Sequence, residues 1–129
     1  MEDVKGLCLD SDVLIDYLRG MTNARDFLLE NAGKTPLFIS VVGIVEIYSC
    51  KDTKISEKKE IIEVFLANFR IIILTQGIAK RAGELRRDHQ KPFADMIVAA
   101  SAMEYGMPLV TRNIKHFRTI RGLKVLRPY

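Results

Sequence analysis

Five short runs of mainly apolar residues, alternating with stretches of helical periodicity, restrict this chain to one kind of architecture. The runs are Leu7–Leu9, Leu37–Ile39, Ile71–Leu74, Leu109–Thr111 and Lys124–Leu126. A strand with one wet face alternates apolar and polar residues, whereas a strand covered on both faces is apolar throughout. These runs do not alternate. They predict a three-layer α/β/α domain with a central parallel sheet of about five strands.

The intervals between the runs carry helix signals. Asp12 is placed to cap a helix through Leu18, with Gly20 just past its end. Thr22 is placed to cap a second helix, with Ala24, Phe27 and Leu28 on one face, and Ser40 a third, carrying Val41, Val42, Val45 and Tyr48. Lys51–Lys54 reads as a charged loop. Ile61, Ile62, Phe65, Leu66 and Phe69 then form an apolar stripe that serves either the core or a dimer contact. A further helix is expected from Gly77 to about Arg87. Pro92 opens the last long one, with Met96, Ala99, Ala100 and Met103 on one face and Gly106 and Pro108 as its stop.

A length of 129 residues, 48% of them hydrophobic, is enough for one domain spanning 1–129. No apolar run approaches the roughly 20 residues of a membrane span. Met1-Glu2-Asp3-Val4-Lys5 lacks the basic-then-apolar order of a signal peptide, so the expected location is the cytoplasm, away from membranes. There Cys8 and Cys50, which form no CxxC, are expected to be small core residues. His89 and His116 stand alone in the sequence, which argues against zinc. Charge is uneven. The net value is +4, yet no acid follows Glu104, and Arg112, Lys115, Arg118, Arg121, Lys124 and Arg127 make the end of the chain basic. Such an end is either a solvated face or a surface for an anionic partner such as nucleic acid.

The acids carry the chemistry. Asp10 ends the first apolar run and so belongs at the carboxyl edge of the sheet, where open α/β sheets keep their binding crevice. Glu46 lies about two turns into the third helix among Ile44, Val45, Ile47 and Tyr48. An acid in such surroundings requires a partner, and Arg112 is the obvious candidate for a buried ion pair. Asp95 falls in the first turn of the last long helix, and Thr111-Arg112-Asn113 follows the fourth strand. A parallel sheet brings all of these to one edge. Singly, each has a plain role: Asp10 in a turn, Asp12 as a cap, Asp95 at a helix dipole. Together they repel, by about 4 kcal/mol for a pair about 4 Å apart at an effective dielectric near 20. A proton or a cation must offset this, and an all-oxygen set favours Mg²⁺ or Mn²⁺. Such a centre suits phosphodiester hydrolysis. Ser11 and Thr111 are placed either to orient a water or a carboxylate or simply to bond within their turns. Arg112 and Lys115 lie near enough to meet phosphates.

Four segments in order resemble one family. They are Leu9-Asp10-Ser11-Asp12-Val13-Leu14-Ile15-Asp16-Tyr17-Leu18-Arg19-Gly20, Ile39-Ser40-Val41-Val42-Gly43-Ile44-Val45-Glu46-Ile47, Pro92-Phe93-Ala94-Asp95-Met96-Ile97-Val98-Ala99-Ala100-Ser101-Ala102 and Leu109-Val110-Thr111-Arg112-Asn113-Ile114-Lys115-His116-Phe117. Each alone is weak. All four, spanning nearly the whole chain, resemble the PIN-domain proteins and most closely the VapC-type toxins of toxin–antitoxin pairs. The resemblance implies a PIN-like α/β/α fold and an endoribonuclease using Mg²⁺ (or Mn²⁺). By the same resemblance Asp10, Glu46 and Asp95 form the catalytic, metal-binding triad. The partners it implies are an RNA substrate, a second copy in a homodimer and a cognate small VapB-like antitoxin.

Two positions depart from the family pattern. Asp12 stands where an Asn is usual, and Asn113 where some members carry a fourth acid. Asn113 offers a carbonyl without charge, and Asp12 is placed to restore that charge. A catalytically weak module that binds RNA or antitoxin is the alternative. Asp10-Ser11-Asp12 also matches the opening of haloacid-dehalogenase phosphatases, with Asp10 as nucleophile and Asp12 as general acid. Leu14 in place of Thr or Val, and the lack of paired late acids, argue against that. A receiver domain would need an Asp where Leu74-Thr75-Gln76 ends the third run.

Overall fold

The computed structural model describes residues 5–129, so Met1–Val4, read above for a leader, lies outside the described residues. In chain order the strands are β1 (Leu7–Leu9), β2 (Leu37–Ser40), β3 (Arg70–Ile72), β4 (Leu109–Val110) and β5 (Val125–Leu126). The helices are α1 (Ser11–Leu18), α2 (Thr22–Asn31), α3 (Val41–Tyr48), α4 (Ser56–Leu66), α5 (Gln76–His89) and α6 (Phe93–Glu104). All strands are parallel, in the order β3-β2-β1-β4-β5. The sheet therefore grows in one direction from β1 through β3, and the chain then crosses to the other side of β1. The switch point lies between β1 and β4, where ligands of open parallel sheets bind.

Side-chain alternation along each strand fills two separate cores. Cys8, Phe38, Ile72 and Leu109 face Ile78 and Ala82 of α5, Met96, Ala99 and Ala100 of α6, and Phe117 and Ile120. Leu9, Ile39 and Val110 face Val13 and Leu14 of α1, Leu28 of α2, Ile47 of α3 and Ile62 of α4. Both faces are covered, which is why the strand sequences show no polar alternation. Residues Met96 to Ala102 of α6 are all buried, and its alanines let neighbouring elements approach from every side.

Several boundaries differ from expectation. Asp10, not Asp12, caps α1: it leaves β1 with extended backbone, and its carboxylate accepts from the Ser11 N–H. Thr22 lies inside α2, and Met21 at the cap position makes no side-chain capping bond. Lys51–Lys54 forms a 3-10 turn. β3 runs Arg70–Ile72 and stops before Ile73 and Leu74, which are exposed. It is an edge strand, bonded only to β2, and Arg70 stacks over Phe38 at 5.6 Å. The expected α4 stripe splits. Ile62 and Phe69 are buried, Ile61 and Val64 are exposed, and the helix ends at Leu66. Cys8 is buried, and burial, with Asp10 adding to it, pushes its thiol up to about 12. Cys50 is half-buried.

Gly6 marks the tightest approach before β1. A Cβ there would lie 2.8 Å from both the Phe38 ring and the Pro36 carbonyl oxygen. Because a backbone atom is involved, Gly6→Ala is expected to lower stability by about 1–3 kcal/mol in denaturant unfolding.

Candidate active site at the carboxyl edge

Each acid reaches the edge for a local reason. Asp10 is the first residue past β1, and its N–H donates to the Val110 carbonyl at 2.9 Å, extending the pairing with β4. Ser40 ends β2 and caps α3, accepting from the Val42 N–H at 3.1 Å, so α3 starts at the edge and carries Glu46 on its second turn. Asp95 sits in the first turn of α6, opened by Pro92. Thr111 follows β4, and its N–H donates to the Leu126 carbonyl at 3.0 Å.

Hydrogen bonds knit the group together. The Ser11 hydroxyl donates to Glu46 Oε1 at 2.9 Å. The Thr111 hydroxyl lies 2.8 Å from Asp10 Oδ2 and 3.2 Å from Asp12 Oδ2, so its one proton serves Asp10 better. Asp12 Oδ2 also accepts from the Arg112 N–H at 2.9 Å, while Asp12 Oδ1 is buried without a partner. The Asn113 N–H donates to Thr111 Oγ1 at 3.0 Å. Asp10, Ser11, Asp12, Glu46, Asp95, Thr111, Arg112 and Asn113 thus lie at one edge. The three triad acids nonetheless do not close on a common point. Among the described residues no three acid, histidine or cysteine groups stand in finished ligating geometry. Glu46 is held by Ser11 and Asp95 by His116.

The expected pair between Glu46 and Arg112 is absent. The Arg112 guanidinium instead grips Asp16 with Nε 2.5 Å from Oδ2 and Nη2 3.1 Å from Oδ1. The Tyr129 hydroxyl donates to the same carboxylate at 2.6 Å. Asp16 is 3% exposed, and this cationic and phenolic pairing compensates its burial. Asp16 escaped the sequence reading although its signal is legible: it falls four residues after Asp12, on the same face of α1. His116 also escaped. Alone in the sequence, it comes three residues after Asn113, and a 3-10 turn over Ile114–His116 brings its Nδ1 to Asp95 Oδ2 and within 2.8 Å of the Asn113 amide.

The edge is electrostatically tense. Asp10 is 6% exposed. Burial first, then the charge of Asp12 and the nearby Asp95 and Glu46, push its carboxyl up to about 7 against the Thr111 hydrogen bond. Asp12 and Glu46 are raised too, in each case chiefly by burial. An all-oxygen cluster with mutually repelling members and one unpartnered buried oxygen has the chemistry of a hard divalent cation site. A cavity of about 620 Å³ with Leu28, Leu37, Phe65 and Arg70 in its wall opens instead toward the amino ends of β2 and β3.

Comparison with known proteins agrees with this layout. The model of the PIN domain matches residues 7–123. Ribonuclease VapC10 of Mycobacterium tuberculosis is 38% identical over 123 residues, covering 92% of this chain and 90% of that protein. Among solved structures, a toxin–antitoxin complex from Klebsiella pneumoniae superposes with a TM-score of 0.82 at 30% identity, covering 96% of this chain and 98% of the other. VapBC2 from Rickettsia felis, bound to a DNA fragment from its promoter, superposes with a TM-score of 0.80 at 20% identity over 98% of both chains, a likeness of fold.

The tension at Asp10 has a measurable sign. Its folded-state pKa, about 7, exceeds the ordinary 3.8, so the folded protein binds this proton more tightly than the unfolded chain does. The resulting stabilisation is full below the unfolded value and is lost as pH rises through about 7. The metal-free protein is expected to lose stability between pH 4 and 7 relative to Asp10→Asn, which lacks the titration. Denaturant midpoints of both proteins across that window check this.

Proposed function

Because the chain belongs to the PIN-domain family and groups there with the VapC-type ribonucleases, we propose that it is a Mg²⁺- or Mn²⁺-dependent endoribonuclease that hydrolyses RNA phosphodiester bonds. The observation that carries this reading is the crowding of Asp10 by Asp12, Asp95 and Glu46 at the β1–β4 switch point, with the nearby Arg112 side chain engaged by Asp16. We take residues 1–129 as a single domain, acting in the cytoplasm beside its RNA.

In this reading Asp10 and Asp95 hold the cation directly, and Glu46 does so directly or through water. When bound, such a cation supplies an acidified water and neutralises charge developing on the phosphate. The chain's own residues do the rest. Thr111 and Ser11 orient Asp10 and Glu46 by hydrogen bonds. Asp12 brings charge beside Asp10 and contributes the unpartnered Oδ1. Asn113 supplies no charge, and Asp12 makes up for it. His116 holds one oxygen of Asp95 and so fixes the direction of the other. Arg112 acts on the edge through its backbone N–H and its grip on Asp16.

The family reading also carries partners: a small VapB-like antitoxin and a second copy of the chain. Exposed Ile61 and Val64 on α4, and Ile71 and Ile73 at the β3 edge, are apolar surface that a protein partner would cover. The alternative, a module that binds RNA or antitoxin without cutting, differs in having no use for a cation.

Purified protein with Mn²⁺ or Mg²⁺ is expected to cut a total-RNA pool into discrete fragments. EDTA and Asp95→Asn should each abolish them. A folded, antitoxin-free sample that cuts nothing would favour the binding module. Independently of activity, Mn²⁺ at about 100 times its dissociation constant should stabilise the wild type by about 2.7 kcal/mol and leave Asp10→Asn unmoved. His116→Ala is expected to weaken Mn²⁺ binding about 10- to 100-fold by calorimetry, the usual cost of losing a group that orients a ligand. Asp12→Asn should weaken it as well, and unchanged affinity would refute the compensating role of Asp12.

A further inference from the structure

The segment after β4 is built on a period of three. Ile114, Phe117, Ile120, Leu123 and Leu126 recur at that interval, and one residue after each stands a cation: Lys115, Arg118, Arg121, Lys124 and Arg127. The backbone explains how the two series separate. The Phe117 N–H donates to the Ile114 carbonyl at 3.0 Å, the Ile120 N–H to Phe117 at 3.0 Å, and the Leu123 N–H to Ile120 at 3.4 Å. From Ile114 to Leu123 these linked three-residue turns bring every third side chain to the same side, and beyond them β5 takes over, with Val125 and Leu126 on opposite cores. Gly122, at φ 88°, allows the chain to leave the last turn for β5. Phe117 and Ile120 are buried, Leu123 packs on the same core, and Leu126 on the other. All five cations are exposed.

These cations are also unpaired. Among the described residues none of the five meets an acid; other surface cations such as Lys51, Lys54 and Lys59 are also without one, so what sets the strap apart is its regular spacing and the lack of any acid after Glu104. The last acid in the chain is Glu104. Both ends of the strap return to the candidate site. Lys115 precedes His116, which touches Asp95. Arg127 follows β5, whose Leu126 is in register with Val110, so it emerges at the carboxyl edge beside Thr111.

We propose that this strap is the surface along which the phosphate backbone of the RNA lies as it enters the site. The inference rests on the ribonuclease reading above. A protein partner would require apolar anchors among the charges, and here every apolar member of the repeat is turned inward or half-covered. A surface of spaced cations without anchors fits a sequence-independent run of phosphates.

The test is fluorescence anisotropy of a labelled polyuridylate oligonucleotide in EDTA, with binding followed against salt. Each phosphate contact contributes about 0.7 to the slope of log K against log salt for a single strand. The triple variant Arg118→Gln, Arg121→Gln, Lys124→Gln should flatten that slope by about 2. The control Lys51→Gln, Lys54→Gln, Lys59→Gln removes the same charge from exposed positions in the 3-10 turn and α4 and should leave it unchanged. Equal flattening in both would overturn the proposal, since net charge alone would then act. An unchanged slope in the strap variant would overturn it too and would leave the cations to an acidic protein. Melting temperature checks the fold. If the triple variant is destabilised, single Gln variants at Arg118 and Arg121 replace it, each expected to flatten the slope by about 0.7. Binding is read without a cation, so failure of metal-dependent cleavage would sink the ribonuclease reading separately.

Discussion

The register of β1 beside β4 governs everything at the working edge of this molecule. Leu9 pairs with Val110, so Asp10 and Thr111 leave the sheet side by side. A parallel ladder sends both strands out at the same edge, and the reversal in strand order at that place leaves room between the helices that follow. The Thr111 hydroxyl bonds Asp10, the Arg112 N–H bonds Asp12, and the 3-10 turn beyond carries His116 to Asp95. A slip of one residue would turn Leu9 and Val110 toward the wrong core and break each of these contacts together.

That arrangement costs stability where it concentrates charge. Asp10 is buried among like charges, and only hydrogen bonds from Ser11 and Thr111 relieve it. Arg112, whose N–H bonds Asp12, commits its guanidinium to Asp16, and that commitment is reinforced by Tyr129. A core designed for stability alone would have placed the guanidinium among the acids. The side-chain hydrogen bonds of Arg112 go to Asp16, a helical turn away, while its charge still favours the ionised form of Asp12. The same separation of charge holds at larger scale. Acids gather at the switch point, while the cations of the last strand and its approach face outward along the flank.

The acids lie at the carboxyl edge, and the cavity of about 620 Å³ lies toward the opposite ends of the strands. With Leu28, Leu37 and Phe65 in its wall, that cavity offers shape without chemistry. A polymer substrate does not need enclosure. Under the ribonuclease reading proposed above, it needs only one place where a phosphate meets the acids and a surface along which the rest can lie.

Much of this was legible in the sequence because it depends on local rules. Runs of mainly apolar residues announce strands with two covered faces, and the parallel order then forces Asp10, Glu46, Asp95 and Thr111 to a shared edge. Cap positions were less legible. Asp10 and Asp12 are equally good capping residues, and only the exit of β1 decides which one the helix uses. Partner choice was not legible at all. Arg112 went to Asp16 instead of Glu46, and His116 found Asp95 across 21 residues of chain, because such pairings depend on three-dimensional distance and the cost of burial. The sequence by itself therefore determined the layers, the acids and the edge where they meet, since periodicity and strand direction are properties of the chain. Only the tertiary structure decided which charge each acid faces, since that depends on how helices from opposite ends of the chain pack over one sheet.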